Sequence, residues 1–168
     1  MIPLHIGFSG TRYGMTLLQR RAVYRVFRWY RDNRSAITVH HGSCVGADAE
    51  AHDIARMLGL SVALHPGVSA KGDSPYRAEC ATLQGERVWT PRHYFTRNAA
   101  IVACTGVLVA ATGDGTEDRG ASHAISCAVK LERPVVIVSA DGRLQRVSPL
   151  ARCEQGTEQR RRTHPTNR

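Results

Sequence analysis

The run Gly106-Val107-Leu108-Val109-Ala110-Ala111, followed at once by Thr112-Gly113-Asp114-Gly115-Thr116, decides the fold. A nearly pure apolar strand that stops at glycines suits the buried centre of a parallel sheet, covered on both faces. After it, Ala121, Ala124, Ile125, Ala128 and Val129 recur at helical spacing, and Pro134 to Val138 supplies a further strand. Before it, Tyr94 to Cys104 reads as a helix with Phe95, Ala99 and Val102 inward. The same alternation extends to the start of the chain. Leu4 to Phe8 is a short strand, and a helix follows with Met15, Leu18, Ala22, Val26 and Trp29 inward. Its arginines at 20, 21, 25, 28 and 31 form a solvated face. Ala36 to His40 is a second strand, and the next helix carries Ala47, Ala51, Ile54, Ala55 and Leu58 inward before stopping at Gly59. Ser61 to Leu64 makes a third strand, ended by His65-Pro66-Gly67. Residues 67 to 92 then read as a long loop with one minor element, of a length that is often functional. Five strands alternating with four helical segments, joined by right-handed crossovers, predict a doubly wound three-layer α/β sandwich with a five-stranded, mainly parallel central sheet.

In such a sheet ligands bind beyond the carboxyl ends of the strands, where the strand order reverses. Three glycine-containing loops fall there. The first, Gly7-Phe8-Ser9-Gly10-Thr11-Arg12, offers a close backbone approach, a hydroxyl and a forked cation ahead of a helix N-terminus. It is neither a GxxxxGK[ST] loop nor a GxGxxG. The second runs from Gly42 through Ser43, Gly46 and Ala47 to Asp48, whose carboxylate suits the first helical turn or a ribose hydroxyl. The third, Thr112-Gly113-Asp114-Gly115-Thr116-Glu117-Asp118-Arg119-Gly120, has the makings of a phosphate cradle. The fold should bring these loops side by side. His40, His41, Cys44, Asp48 and His52 lie close in sequence, but adjacent histidines on a strand point to opposite faces, so no metal is expected.

With 168 residues the chain has room for one α/β domain, read as residues 1–142, followed by a basic tail, 143–168, expected to be disordered. The formal charge is +9, but the excess sits in the first helix and the tail, and residues 35–142 carry a net −2. That distribution makes nucleic acid a secondary partner rather than the first expectation. Five cysteines at 44, 80, 104, 127 and 153 include no CxxC pair, so neither a disulfide framework nor structural zinc is expected, and Cys104 and Cys127 read as small core residues. No apolar run long enough to span a membrane and no signal-peptide profile is present, so a cytoplasmic protein is expected.

The run GFSGTRYGMT, then HHGSCVGADAEAHDIARMLGLSV with its HPG, then TRNAAIVAC, then the apolar strand with GDGTEDRGASHAISCAVKLERPVVIV resembles the SLOG superfamily over residues 4–138. That group joins the DNA-processing protein DprA/Smf, the LOG phosphoribohydrolases and many small Rossmann-like nucleotide-binding proteins. The resemblance implies a Rossmann-like fold and no resident cofactor. It implies that Ser9, Gly10, Thr11 and Arg12 meet a nucleotide phosphate, and that Gly42, Ser43, Gly46, Ala47 and Asp48 flank the sugar. Arg97 and Asn98 correspond to the pair ahead of the central strand, whose arginine is catalytic in LOG enzymes. The LOG glycine motif falls on Thr112 to Arg119 and keeps Gly113, Gly115 and Thr116, but its catalytic glutamate position holds Arg119, leaving Glu117 as the nearest substitute. The expected function is binding of a nucleotide or nucleotide-derived signal, with N-glycosidic hydrolysis through Arg97 and Glu117 left open. The alternative is a DprA-like accessory protein binding DNA or RNA. A homodimer through the first helix is implied by resemblance and by Tyr24, Phe27, Trp29 and Tyr30 on that helix.

Overall fold

The computed structural model describes residues 3–34, 36–68, 83–113 and 119–148. In chain order these form β1 (Leu4–Gly10), α1 (Leu17–Asn33), β2 (Ile37–His41), α2 (Ala47–Met57), β3 (Ser61–Leu64), β4 (Gly67–Val68) and β5 (Arg87–Val88). There follow β6 (Arg92–His93), α3 (Tyr94–Ala103), β7 (Val107–Ala111), α4 (Arg119–Lys130), β8 (Val135–Val138) and β9 (Leu144–Val147). The main sheet runs β5-β3-β2-β1-β7-β8-β9. All its pairings are parallel except β8 with β9. It therefore has seven strands where five were expected. The five central ones are those read from sequence, and the additions are short edge strands.

Strand β9 lies inside the stretch expected to be tail, so the sheet continues past residue 142. The turn before it carries Asp141-Gly142, with Gly142 at φ 78°, and the Ser139 N–H donates to the Arg143 carbonyl at 3.0 Å. Its four residues face mostly solvent, so no apolar alternation announces them.

The alternation of side chains along each strand divides the core between two helical layers. Ile6, Phe8, Val39, Val62, Val109 and Val138 point to the layer of α1 and α2. Leu108, Ala110 and Val135 point to α3 and α4, where Ala124 and Ala128 let the α4 backbone come close to the sheet. Phe8 and Phe27 are fully buried edge to face, 6.2 Å between centroids; burial is worth about 1.5–3 kcal/mol for each ring.

Two helical phases need correction. On α1 the buried residues are Gln19, Ala22, Val23, Val26 and Phe27, while Leu18 and Trp29, expected inward, are exposed. On α3 the buried face is Arg97, Asn98, Ile101 and Val102, and Phe95 points outward. On α4 the expected face is the inward one, with Ala121, Ala124 and Ala128 buried and Ile125 and Val129 half-buried. The stripe on α2 is as expected, from Ala47 to Leu58. Cys104 and Cys127 are half-buried rather than core residues, and with Cys44 they are free thiols. Among the described residues no helix is long and apolar enough to cross a membrane.

Candidate functional site

The order β2-β1-β7 puts the carboxyl ends of these strands side by side, with Gly10 of β1 level with Ala111 of β7. Beyond them opens a cleft of about 620 Å³. From the first loop it is lined by Ser9, Gly10, Thr11 and Arg12, and from the third by Gly113, Arg119 and Gly120. Asn98 lines it too, its Nδ2 donating to the Gly120 carbonyl at 3.1 Å and so tying α3 to the first turn of α4. Asp114, Gly115, Thr116, Glu117 and Asp118 lie outside the described residues. Thr112 is not in the lining; its carbonyl accepts from Gln19 Nε2 at 2.8 Å.

The second loop stands behind the first. Gly42, Ser43, Gly46 and Ala47 do not line the cleft, and four of the loop's N–H groups already have acceptors. Asp48 Oδ2 accepts from Gly42 and Cys44 at 3.0 and 3.3 Å. The Ser43 N–H donates to His41 Nδ1 at 3.2 Å, and the Ala47 N–H to the Thr11 carbonyl at 3.0 Å. A carboxylate of the chain itself thus takes two of the N–H groups that this loop could offer an anion. Gly46 has φ 78°, and a Cβ there would overlap the Arg12 carbonyl, so only glycine lets the two loops touch. Glu50 completes the join by accepting the Met15 N–H at 2.6 Å.

Asp48 and Arg97 form the buried electrostatic feature of the site, 4 % and 8 % exposed and 3.6 Å apart. Burial pushes the Asp48 carboxyl above its usual range, against the pull of the Arg97 guanidinium and of the Gly42 and Cys44 N–H groups. Arg97 Nη2 also donates to Cys44 Sγ at 3.3 Å. Burial and the Asp48 charge nevertheless raise the Cys44 thiol. A Cβ on Gly42 would overlap Arg97 Nη1, so the glycine makes room for the guanidinium.

Sequence reasoning missed part of the wall. Tyr13, Gln19, Cys44, Phe95 and Ala140 also line the cleft. Gln19 is buried and donates to both the Thr112 and Val138 carbonyls, fastening α1 to the ends of β7 and β8. A polar residue three positions after a threonine at a helix start was the available signal: Thr16 and Gln19 form a capping box.

The histidines lie on opposite sheet faces, as their adjacency required. His40 Nε2 meets His5 Nδ1 at 2.8 Å and its Nδ1 meets His65 Nε2 at 2.9 Å, while His41 turns to His52 at 3.1 Å. Burial lowers His40 to about 4 and His65 to about 3, and it takes His41 well below the usual imidazole value. Among the described residues no group of three His, Cys, Asp or Glu side chains is arranged to hold a metal.

No protein-family model matches the sequence, and no curated protein does. Solved structures share the fold. The molybdenum cofactor binding protein of the phototrophic bacterium Rippkaea orientalis superposes with TM-score 0.60 at 15 % identity, over 94 % of this chain and 98 % of that one. DNA processing protein A of Helicobacter pylori, described for its single-stranded DNA binding mode, gives 0.56 at 15 % identity, over 93 % of this chain and 74 % of that one. The molybdenum cofactor carrier protein of Chlamydomonas reinhardtii gives 0.50 at 18 % identity, over 81 % and 76 %.

Proposed function

We propose, from the premise that the fold is of the SLOG type, that this chain binds a nucleotide or nucleotide-derived small molecule in the cleft beyond β1 and β7. One observation carries the reading. Thr11 and Arg12 from one loop and Gly113 and Arg119 from another, distant in sequence, line one cleft at the point where the strand order reverses. Two guanidinium groups, a hydroxyl and the first turn of α4 suit a phosphate. Asp48 already takes the Gly42 and Cys44 N–H groups, so the reading puts the phosphate against the first and third loops, with Gly42, Ser43, Gly46 and Ala47 as their support. The neighbours named for a molybdenum cofactor and for single-stranded DNA both take ligands that carry phosphate, which favours this chemistry.

Turnover is a separate matter. Cleaving an N-glycosidic bond requires a carboxylate near the anomeric carbon. Asp48 is the one carboxylate among the described residues lining the cleft, and it is engaged by Arg97 and two backbone N–H groups. The proposal is therefore binding, with Glu117→Gln and release of free base from AMP as the check on hydrolysis. Scanning fluorimetry with nucleoside monophosphates, ADP-ribose and cyclic nucleotides tests the binding itself. A ligand at a hundred times its Kd stabilises by about 2.7 kcal/mol. The gain should be lost in Arg12→Ala and Arg119→Ala, and no gain with any phosphate-bearing compound would refute the reading.

The second reading, single-stranded nucleic acid, is favoured by the exposed arginines of α1 at 20, 21, 25, 28 and 31. Residues 149–168, the rest of that basic footprint, lie outside the described residues. No anisotropy change of a labelled oligonucleotide at low salt would dispose of it. A homodimer through α1 would rest on Trp29, since Phe27 is buried and Tyr24 and Tyr30 pack against the core. Light scattering at high micromolar concentration decides it.

A further inference from the structure

We propose that Phe95 is the platform on which the planar ring of the ligand stacks, so that the site selects phosphate esters carrying a flat heteroaromatic ring over bare sugar phosphates. The inference rests on the binding reading above and adds to it the residue that recognises the ring and the selectivity that follows. Phe95 is 57 % exposed and lines the cleft. Its exposure follows from the phase of α3, whose buried side is taken by Arg97, Asn98, Ile101 and Val102. The neighbouring Tyr94 also lines the cleft but is half-buried: its ring lies 5.8 Å from the Arg97 guanidinium carbon and packs so closely on Gly67 that a Cβ there would collide with it, so less of its face is open to a ligand than that of Phe95.

Phe95 is also held in place. The His123 ring of α4 lies 4.6 Å from it at 45°, and Cys127 Sγ lies 3.8 Å from both nitrogens of that imidazole. The Asn98 to Gly120 bond fixes α3 against the helix start that carries Arg119. An aromatic ring supported on one side and lining a cleft on the other loses little freedom when a second ring covers it, and base stacking on such a side chain is tolerant of the base. Tyr13 is the other exposed aromatic of the wall, at 74 %, but it sits in the tight turn after Thr11, where its N–H donates to Thr11 Oγ1 at 3.0 Å. The cleft's volume, about 620 Å³, leaves room for a ring and a sugar beside the phosphate.

Calorimetric titration of the full chain with AMP, GMP and FMN against ribose 5-phosphate tests the assignment, in wild type, Phe95→Ala, Phe95→Trp and Tyr13→Ala. Phe95→Ala should weaken a ring-bearing probe at least about ten-fold. Ribose 5-phosphate should stay within about two-fold, Phe95→Trp should keep the ring-bearing probe, and all variants should melt near wild type. Equal losses for ringed and ringless probes would overturn the inference, as would an unaffected Phe95→Ala or a ring-selective loss in Tyr13→Ala. Wild type binding ribose 5-phosphate as well as every ringed probe would remove the inference and leave the phosphate reading standing. Wild type binding none of the four would remove both.

Discussion

Replacing Arg97 by Met separates a ligand-facing arginine from one that holds the site together. In the structure the guanidinium is 3.6 Å from Asp48 Oδ2, and both side chains are buried. Removing one partner of a buried pair costs about 3–5 kcal/mol, because the other charge is left without its counterion. Asp48 keeps its bonds from the Gly42 and Cys44 N–H groups, which places the expected loss at the lower end, about 3 kcal/mol. For a chain of this size that is a fall in Tm of roughly 6–12 °C. The pH dependence carries a sign. A carboxyl whose folded pKa is raised contributes stability that is full below its unfolded value, 3.8, and is lost as pH rises through the folded value. Without Arg97 the folded value climbs further, so the deficit of the variant should grow with rising pH and narrow as pH falls toward 3.8. Urea unfolding at pH 5, 6, 7 and 8 measures the difference between variant and wild type, and adding Asp48→Asn to Arg97→Met should restore part of the loss at pH 7. A variant as stable as wild type at every pH, but unable to bind ligand, would refute this reasoning and return Arg97 to the direct role that the sequence resemblance implied.

Gly46→Ala should destabilise by more than the roughly 1–3 kcal/mol of a side chain held in a sparsely populated backbone region, here φ 78° and ψ −127°, because its Cβ also overlaps the Arg12 carbonyl; the same denaturation assay reads it, and a neutral effect would show that the two loops do not touch. Gln19→Leu removes the donor to the Thr112 carbonyl and leaves the Val138 carbonyl with the Thr112 N–H alone, and at about 1–3 kcal/mol for a buried group that loses its partner it should be among the costlier changes on α1, whereas a loss below about 0.5 kcal/mol, within the range of ordinary surface substitutions, would contradict the buried amide. Acid should weaken the fold through His40 and His65: a depressed folded value, about 4 and about 3, contributes stability present above the unfolded 6.5 and lost as pH falls toward those values. Each can contribute up to about 1.4 kcal/mol per pH unit inside that window, and a urea midpoint unchanged between pH 7 and pH 4.5 would contradict it.

What was legible in the sequence follows from what periodicity can register. The buried strand Val107–Ala111 and the alanine-rich stripe of α2 bury only apolar groups, so their patterns state their surroundings directly. The three loops were legible because glycines mark strand ends. Helices α1 and α3 were misphased for one shared reason, since each buries polar side chains that a count of apolar residues treats as solvent-facing. Gln19 is inward because its amide donates to the strand-end carbonyls of Thr112 and Val138, and Arg97 with Asn98 is inward because they meet Asp48 and the Gly120 carbonyl. Counting only apolar positions therefore turned Phe95 inward and hid the aromatic wall of the cleft. Strand β9 escaped notice because an edge strand facing solvent needs no apolar face, although Asp141-Gly142 is a hairpin signal in its own right. The glycines of the second loop could be counted but not assigned. Only the tertiary contact with Arg12 and Arg97 shows that they make room for protein.

The central claim is that a phosphate-bearing ligand sits beyond the carboxyl ends of β1 and β7. Amide chemical-shift mapping of the labelled protein during titration with AMP tests it most directly. The account predicts saturable shifts at Ser9 to Arg12, Gly113, Arg119 and Gly120, with smaller ones at the start of α3 and none along the arginine face of α1. Shifts confined to that basic face, or no shifts at millimolar AMP and ADP-ribose, would contradict it.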